Sequence, residues 1–254
     1  MKKSPLRVLI FCAGTGEHWN NYLGIPKQLI PVHGTTLLQR TVDLVEKYSH
    51  DIIVVSWNDA LRVKNASFHF LEKTGWLAET ALKTRPLWKG RTVWLLGDVF
   101  FTRQAIRTIL GSHSLVTFFG RMGRNLYTGK LGELFAAGFS EQGYAPLENA
   151  IEVAYRDALN GGKGMLWQVY RALAGFPLSK HEYAPGFLKE ILDLTDDIDT
   201  PEDYHRAIHI YSLAANPAIA AQGRMLFFKA KIFLAWLFMR VKRKTRALLG
   251  LSIK

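Results

Sequence analysis

Four short clusters carry residue types suited to phosphate chemistry. The first is Cys12-Ala13-Gly14-Thr15-Gly16-Glu17. Glycines that close an apolar run let backbone N–H groups approach phosphate oxygens without Cβ obstruction. Taken alone they more often make an ordinary strand-to-helix turn. The third glycine of a dinucleotide fingerprint is missing, since position 19 is Trp19, and there is no Walker motif. The second cluster, Pro26-Lys27-Gln28-Leu29, follows ten residues beyond Gly16. Its lysine can reach back to a phosphate at the glycine loop, although a single lysine is usually just solvated. The third is Leu95-Leu96-Gly97-Asp98-Val99. A strand ending in Gly-Asp sets a carboxylate at the sheet edge where open α/β folds bind ligands. The oxygen is a suitable hard ligand for Mg²⁺, and a helix N-cap is the alternative use. The fourth is Asp197-Ile198-Asp199-Thr200-Pro201-Glu202-Asp203. Asp199 would face the same edge, and two carboxylates with triphosphate oxygens make a Mg²⁺ site where one does not. The alternative is that these acids only cap the next helix, a role that fits Thr200 and Glu202.

The elements that must position these residues alternate along the chain. Strand patterns are expected at Val8 to Cys12, Ile52 to Ser56, Thr92 to Leu96, Leu115 to Phe119, Gly132 to Phe139 and Leu192 to Ile198. Helices are expected from Thr35 or Thr36 to about Tyr48, and over Leu77 to Thr84, Arg103 to Leu110, Ala145 to Asn160, Met165 to Leu173 and Pro201 to Ala215. This alternation predicts an α/β fold with a mostly parallel sheet flanked by helices. The 254 residues suit one large domain with an appendage, and 48% hydrophobic content can fill its core. The single cysteine, Cys12, forms no disulfide within the chain, so a reducing cytoplasm is the default. Met1-Lys2-Lys3 before a short apolar run reads as the lead-in to a buried strand rather than a signal peptide.

The net charge of +12 is unevenly placed. Residues 224–254 hold nine basic side chains and no acid, leaving about +3 on residues 1–223. The body therefore carries no argument for nucleic-acid binding, and none is expected. A boundary near Asn216-Pro217 gives a domain over 1–215 and a tail over 216–254. Leu226 to Met239 is rich in Leu, Phe, Ile and Trp, and Arg240 to Arg246 is strongly basic. The tail is too short and charged to span a bilayer. It reads as a basic amphipathic helix lying on an anionic membrane surface, or as a helix packed on the domain or a partner subunit.

Together and in this order, the motifs resemble the NTP-transferase family, the nucleotidyltransferases with a Rossmann-like GT-A-type fold. That family includes sugar-phosphate nucleotidyltransferases, cytidylyltransferases and molybdenum-cofactor guanylyltransferases. The matching residues are Ala13-Gly14-Thr15-Gly16-Glu17-His18, Pro26-Lys27-Gln28-Leu29, Gly97-Asp98 and Asp199-Thr200-Pro201-Glu202-Asp203, with Pro31 to Leu38 leading into the first long helix. The resemblance covers roughly residues 6 to 210 and departs at His18, where the family has an arginine.

The resemblance implies a Mg²⁺-dependent nucleotidyltransferase that joins a nucleoside triphosphate to a phosphorylated small molecule. The acceptor would be a sugar 1-phosphate or a phosphocholine-like compound, with the base left open. Ala13, Gly14, Thr15 and Gly16 would cradle the triphosphate. Lys27 would offset charge on the α-phosphate and pyrophosphate, and Asp98 and Asp199 would hold Mg²⁺. Gly75 and Thr80 lie where the family contacts the base. The basic, glycine-rich stretch from Phe119 to Lys130 reads as a loop over the acceptor, with Arg121, Arg124 or Lys130 facing its phosphate, or else as a solvated hairpin tip. The setting would be cytoplasmic, peripheral at an inner membrane face, in surface-polysaccharide or lipid assembly, with oligomerisation left open. The alternatives are a GT-A glycosyltransferase using a nucleotide-sugar, whose Asp-x-Asp would have to be the late Asp197-Ile198-Asp199, and a non-catalytic membrane-associated binding protein on this fold.

Overall fold

Leu6–Phe11 forms β1, and its buried part, Val8 to Phe11, is apolar throughout because it is covered on both faces. In the computed structural model, residues 5–14, 16–125, 128–180, 182–184 and 186–215 are described. Thr15 and residues 216–254, with the membrane-surface reading of the tail, lie outside them. The chain divides into two compact units, 1–207 and 208–254; in the second, the described residues 208–215 are helical.

The remaining strands are β2 (Pro31–Val32), β3 (Thr35–Thr36), β4 (Asp51–Ser56), β5 (Ser67–Phe70), β6 (Arg91–Leu96), β7 (Val99–Phe100), β8 (Val116–Gly120), β9 (Leu134–Phe139), β10 (Leu188–Glu190) and β11 (Asp196–Asp197). The α-helices are α1 (Leu37–Val45), α2 (Leu77–Lys83), α3 (Arg103–Leu110), α4 (Tyr144–Leu159), α5 (Leu166–Ala174) and α6 (Pro201–Ala215). Seven strands form one sheet in the order β10-β8-β9-β6-β1-β4-β5. Only β9 runs antiparallel to its neighbours there, so the expected mostly parallel α/β architecture holds. Val8 and Ile10 of β1 pack in one core with α1 and α3, while Leu9 and Phe11 pack in the other with α2, α4 and α5.

Two connections position the site. Strands β1 and β6 are parallel neighbours with Phe11 opposite Leu96, so Cys12 to Gly14 and Gly97-Asp98 leave the sheet side by side. Gly97 donates its N–H to the Phe11 carbonyl at 2.9 Å, and a Cβ there would stand 2.2 Å from Cys12 Sγ. Strand β11 then pairs antiparallel with β7, and Ile198 N–H donates to the Asp98 carbonyl at 2.9 Å. Two acidic segments about a hundred residues apart are thereby joined through backbone.

The late extended segment differs from expectation. It is a short β10 at Leu188–Glu190 and a two-residue β11, not a strand over Leu192 to Ile198. Asp193 breaks the run by accepting from Thr195 N–H and the Thr102 hydroxyl, which turns the chain. The exposed edge strand β5 was not anticipated. Its Ser-Phe-His-Phe alternation spans four residues, too few to stand out.

Candidate active site

The Lys27 ammonium lies 2.6 Å from Asp98 Oδ2 and 2.9 Å from Asp199 Oδ1. A one-turn 3₁₀ segment, Lys27–Leu29 after extended Pro26, presents the lysine; the β6–β7 turn presents Asp98. Asp199 lies two residues before α6, whose first turn Thr200 caps by accepting from Asp203 N–H at 3.1 Å. Three of the four sequence clusters therefore meet at one point. Burial alone would lower the Lys27 pKa, but the charges and hydrogen bonds of Asp98 and Asp199 outweigh it and raise the ammonium above its ordinary value.

A second ammonium braces the same carboxylates. Lys130 Nζ pairs with Asp197 at 2.8 Å and Asp203 at 3.0 Å, and lies 3.6 Å from Asp199 Oδ2. Asp199 thus has one ammonium near each oxygen. Burial works against its charge, yet Asp197, Lys27 and Lys130 together hold its carboxyl below the usual range. Burial and the neighbouring Asp199 push Asp197 the other way. Glu133, just before β9 and so at the same sheet edge as Asp98, is raised mainly by burial. Lys130 was expected to face an acceptor phosphate; its ammonium is instead engaged by these carboxylates.

Arg121, named for the same acceptor role, is closed off from solvent. It is 3% exposed and pairs with Asp196, itself 1% exposed, at 2.9 Å, and it donates to the Thr195 carbonyl at 3.0 Å. Asn125 and the Thr128 hydroxyl donate to the other Asp196 oxygen. Arg121, Asn125 and Thr128 are therefore fastened to β11 from within, and Arg121 has no open face for an acceptor. Arg124 is exposed and donates back to the Gly129 carbonyl at 2.9 Å. The Asp196 anchor carried no signal in the sequence, because its partners lie some seventy residues earlier.

Beside Lys27 opens a cleft of about 320 Å³ bounded by Gly14, Gly16, Trp19, Asn21, Trp57 and Asn58 among others. Gly16 has φ +66°, a left-handed value that favours glycine. Gly14 has no such constraint, and a Cβ there would meet nothing within 4 Å, so its bare backbone faces open space. Ala13 backs this wall through a long 3.5 Å contact between its carbonyl and the Thr74 hydroxyl. The base-site expectation fares differently. Thr80 is buried with its hydroxyl 2.6 Å from that of Thr74, and Gly75 N–H is taken by Glu79 at 2.9 Å. Both groups are spent within the protein. His18, at the family's arginine position, is exposed.

No group of three or more His, Cys, Asp or Glu side chains converges as a metal site among the described residues. The chemistry present is two carboxylates that already share one cationic centre, the Lys27 ammonium. A divalent ion there would take most of its ligands from phosphate and water, a pattern that fits Mg²⁺.

No family model and no curated protein sequence matches the chain. Solved structures do. The inositol-1-phosphate CTP transferase of T. maritima has TM-score 0.58 at 11% identity, over 83% of this chain and 98% of that one. The CTP:phosphocholine cytidylyltransferase of Streptococcus pneumoniae has TM-score 0.54 at 13% identity, over 82% and 99%. A Bacillus anthracis structure assigned as glucose-1-phosphate thymidylyltransferase, solved with sucrose, has TM-score 0.55 at 13% identity, over 81% and 94%. The chain has the fold of these nucleotidyltransferases over nearly their whole length.

Proposed function

We propose that the chain is a Mg²⁺-dependent nucleotidyltransferase that joins a nucleoside triphosphate to a phosphorylated small molecule and releases pyrophosphate. The observation that carries this reading is the Lys27 ammonium held between Asp98 and Asp199 at the edge of a glycine-walled cleft. The shared fold with nucleotidyltransferases of sugar, inositol and choline phosphates supports it and frames the acceptor as a sugar 1-phosphate or alcohol phosphate.

In this reading Asp98 and Asp199 hold Mg²⁺, which when bound supplies positive charge to the triphosphate. Lys27 leaves the carboxylates for the α-phosphate and the departing pyrophosphate. Gly14 and Gly16 admit the triphosphate against bare backbone. The acceptor phosphate is already ionised at neutral pH, so no side chain has to remove its proton. An acceptor oxygen bonds to the α-phosphorus as the bond to pyrophosphate breaks opposite it. Lys27 offsets the charge that collects on the leaving group. Lys130 keeps Asp199 in place by tying Asp197 and Asp203 around it.

A thermal-shift screen of ATP, GTP, CTP, UTP and dTTP, each with Mg²⁺, tests this on wild type and Asp98→Asn. Ligand at 100 times its dissociation constant adds about 2.7 kcal/mol of stability. One triphosphate that stabilises the wild type and not the variant is expected; no shift with any of the five overturns the reading. We extend the proposal to the tail, residues 224–254, as a contact for an anionic inner leaflet, on the strength of its nine basic side chains and crowded aromatics. Equal flotation on anionic liposomes by the full chain and a chain ending at Gly223 would sink that extension.

A further inference from the structure

Trp57 is a large aromatic side chain, 37% exposed, on the wall of the same cleft as Gly14, Gly16 and Lys27. A tryptophan ring left partly open in a concave site offers a ligand apolar area and a π-face. Its position is built rather than incidental. The preceding Ser56 is fully buried and donates its hydroxyl to the Cys12 carbonyl at 3.0 Å, tying the end of β4 to the end of β1. The following Asn58 caps the next turn through Ala60 N–H at 3.0 Å. The indole N–H points toward the Gly14 carbonyl, 3.5 Å away, and the Lys73 ammonium stands 5.6 Å over the ring.

Gly14 beside it needs no glycine for its own backbone and no glycine to spare a protein neighbour. A Cβ there would meet open space, in the cleft that Trp57 and Lys27 also line. Thr80 and Gly75 N–H, the other base-facing groups suggested by the sequence, are consumed by Thr74 and Glu79. An aromatic ring, a bare glycine and an ammonium line one cleft, and each suits one part of a nucleotide: base, sugar and phosphates.

We infer that Trp57 is the stacking platform for the nucleobase of the bound triphosphate, with the ribose crossing Gly14 and the phosphates reaching Lys27. This rests on the nucleotidyltransferase reading and names the subsite that holds the base. Stacking accepts every base, so Trp57 sets affinity, and polar neighbours choose among bases.

The test is calorimetric binding of the five nucleoside triphosphates and of inorganic tripolyphosphate, each with Mg²⁺, to wild type, Trp57→Ala and Trp57→Phe. For whichever triphosphate the wild type prefers, Trp57→Ala should weaken binding about 5- to 150-fold. Trp57→Phe should recover most of it, and tripolyphosphate should bind all three alike. Undiminished triphosphate binding by Trp57→Ala overturns the inference alone, as does an equal loss for tripolyphosphate, which would mark damage to the phosphate loop. A wild type that binds tripolyphosphate and none of the five triphosphates also overturns it. A wild type that binds neither overturns the underlying reading.

Discussion

Lys27 stands 2.6 Å from Asp98 and 2.9 Å from Asp199, where a divalent cation shared by those carboxylates would sit. In the proposed reading the lysine would compete with the metal until a triphosphate drew it away. Calorimetry or Mn²⁺ spectroscopy should find weak metal binding to wild type without nucleotide. Lys27→Met should bind Mn²⁺ alone more tightly, on the order of tenfold, because the carboxylates lose their internal cation. Weaker metal binding by the variant would count against the competition.

Asp98→Asn keeps the shape of the β6–β7 turn and removes one of the two carboxylates. Turnover should fall by about 10²- to 10³-fold, the usual scale for losing one electrostatic contact in a transition state. The unfolding midpoint should move little, since the side chain is partly exposed. Collapse of the fold, or retained turnover, would each refute the assignment.

The Lys27–Asp98–Asp199 cluster has a pH signature whose direction follows from its partners. Lys27 is raised, so its pairing energy is complete below about pH 10.4 and lost as pH climbs through the folded value. Asp199 is lowered, so its share is complete above about pH 3.9 and lost as pH falls. The stability gap between wild type and Lys27→Met, measured by denaturant titration, should be flat from roughly pH 5 to pH 9 and shrink on either side. A gap unchanged at the acid end would contradict the pairing.

Arg121→Met leaves the Asp196 carboxylate buried with its cation gone. Such a loss costs about 3–5 kcal/mol. It should appear as lower denaturant resistance. It should also loosen the stretch that carries Lys130, read as faster amide exchange at Asn125 and Lys130. An unaffected midpoint would mean that Arg121 is solvated after all.

Gly97→Ala would drive its Cβ to 2.2 Å from Cys12 Sγ, and overpacking of this kind costs about 1–3 kcal/mol. Adding Cys12→Ala should recover part of the loss, giving a positive coupling in a double-mutant cycle. Additive losses would place the clash elsewhere, at the Phe11 carbonyl 3.0 Å away.

The α/β layering was readable because the centres of β1, β4 and β6, at Val8 to Phe11, Ile52 to Val55 and Val93 to Leu96, run apolar without alternation. The meeting of Lys27, Asp98 and Asp199 was readable because each sits at a strand end or helix start with its own local punctuation. What was not readable was the pairing of Arg121, Lys130 and Thr80, whose partners carry no local signal. Arg121 looks solvated in a glycine-rich stretch until Asp196 is brought against it, and Lys130 looks free until Asp197 and Asp203 arrive. Thr80 carries no mark that Thr74 will take its hydroxyl. Trp57 was passed over because one tryptophan after a strand has no spacing to report.

The β7–β11 pairing places Asp199 beside Asp98 through backbone contacts across about a hundred residues. During synthesis the glycine wall, Lys27 and Asp98 all leave the ribosome long before the segment that completes their charge. An unfinished chain can close the sheet around β1 and still lack the second carboxylate. In the proposed reading chemistry would be withheld until the last part of the domain has docked, and a chain cut before residue 196 should fold in part yet never turn over.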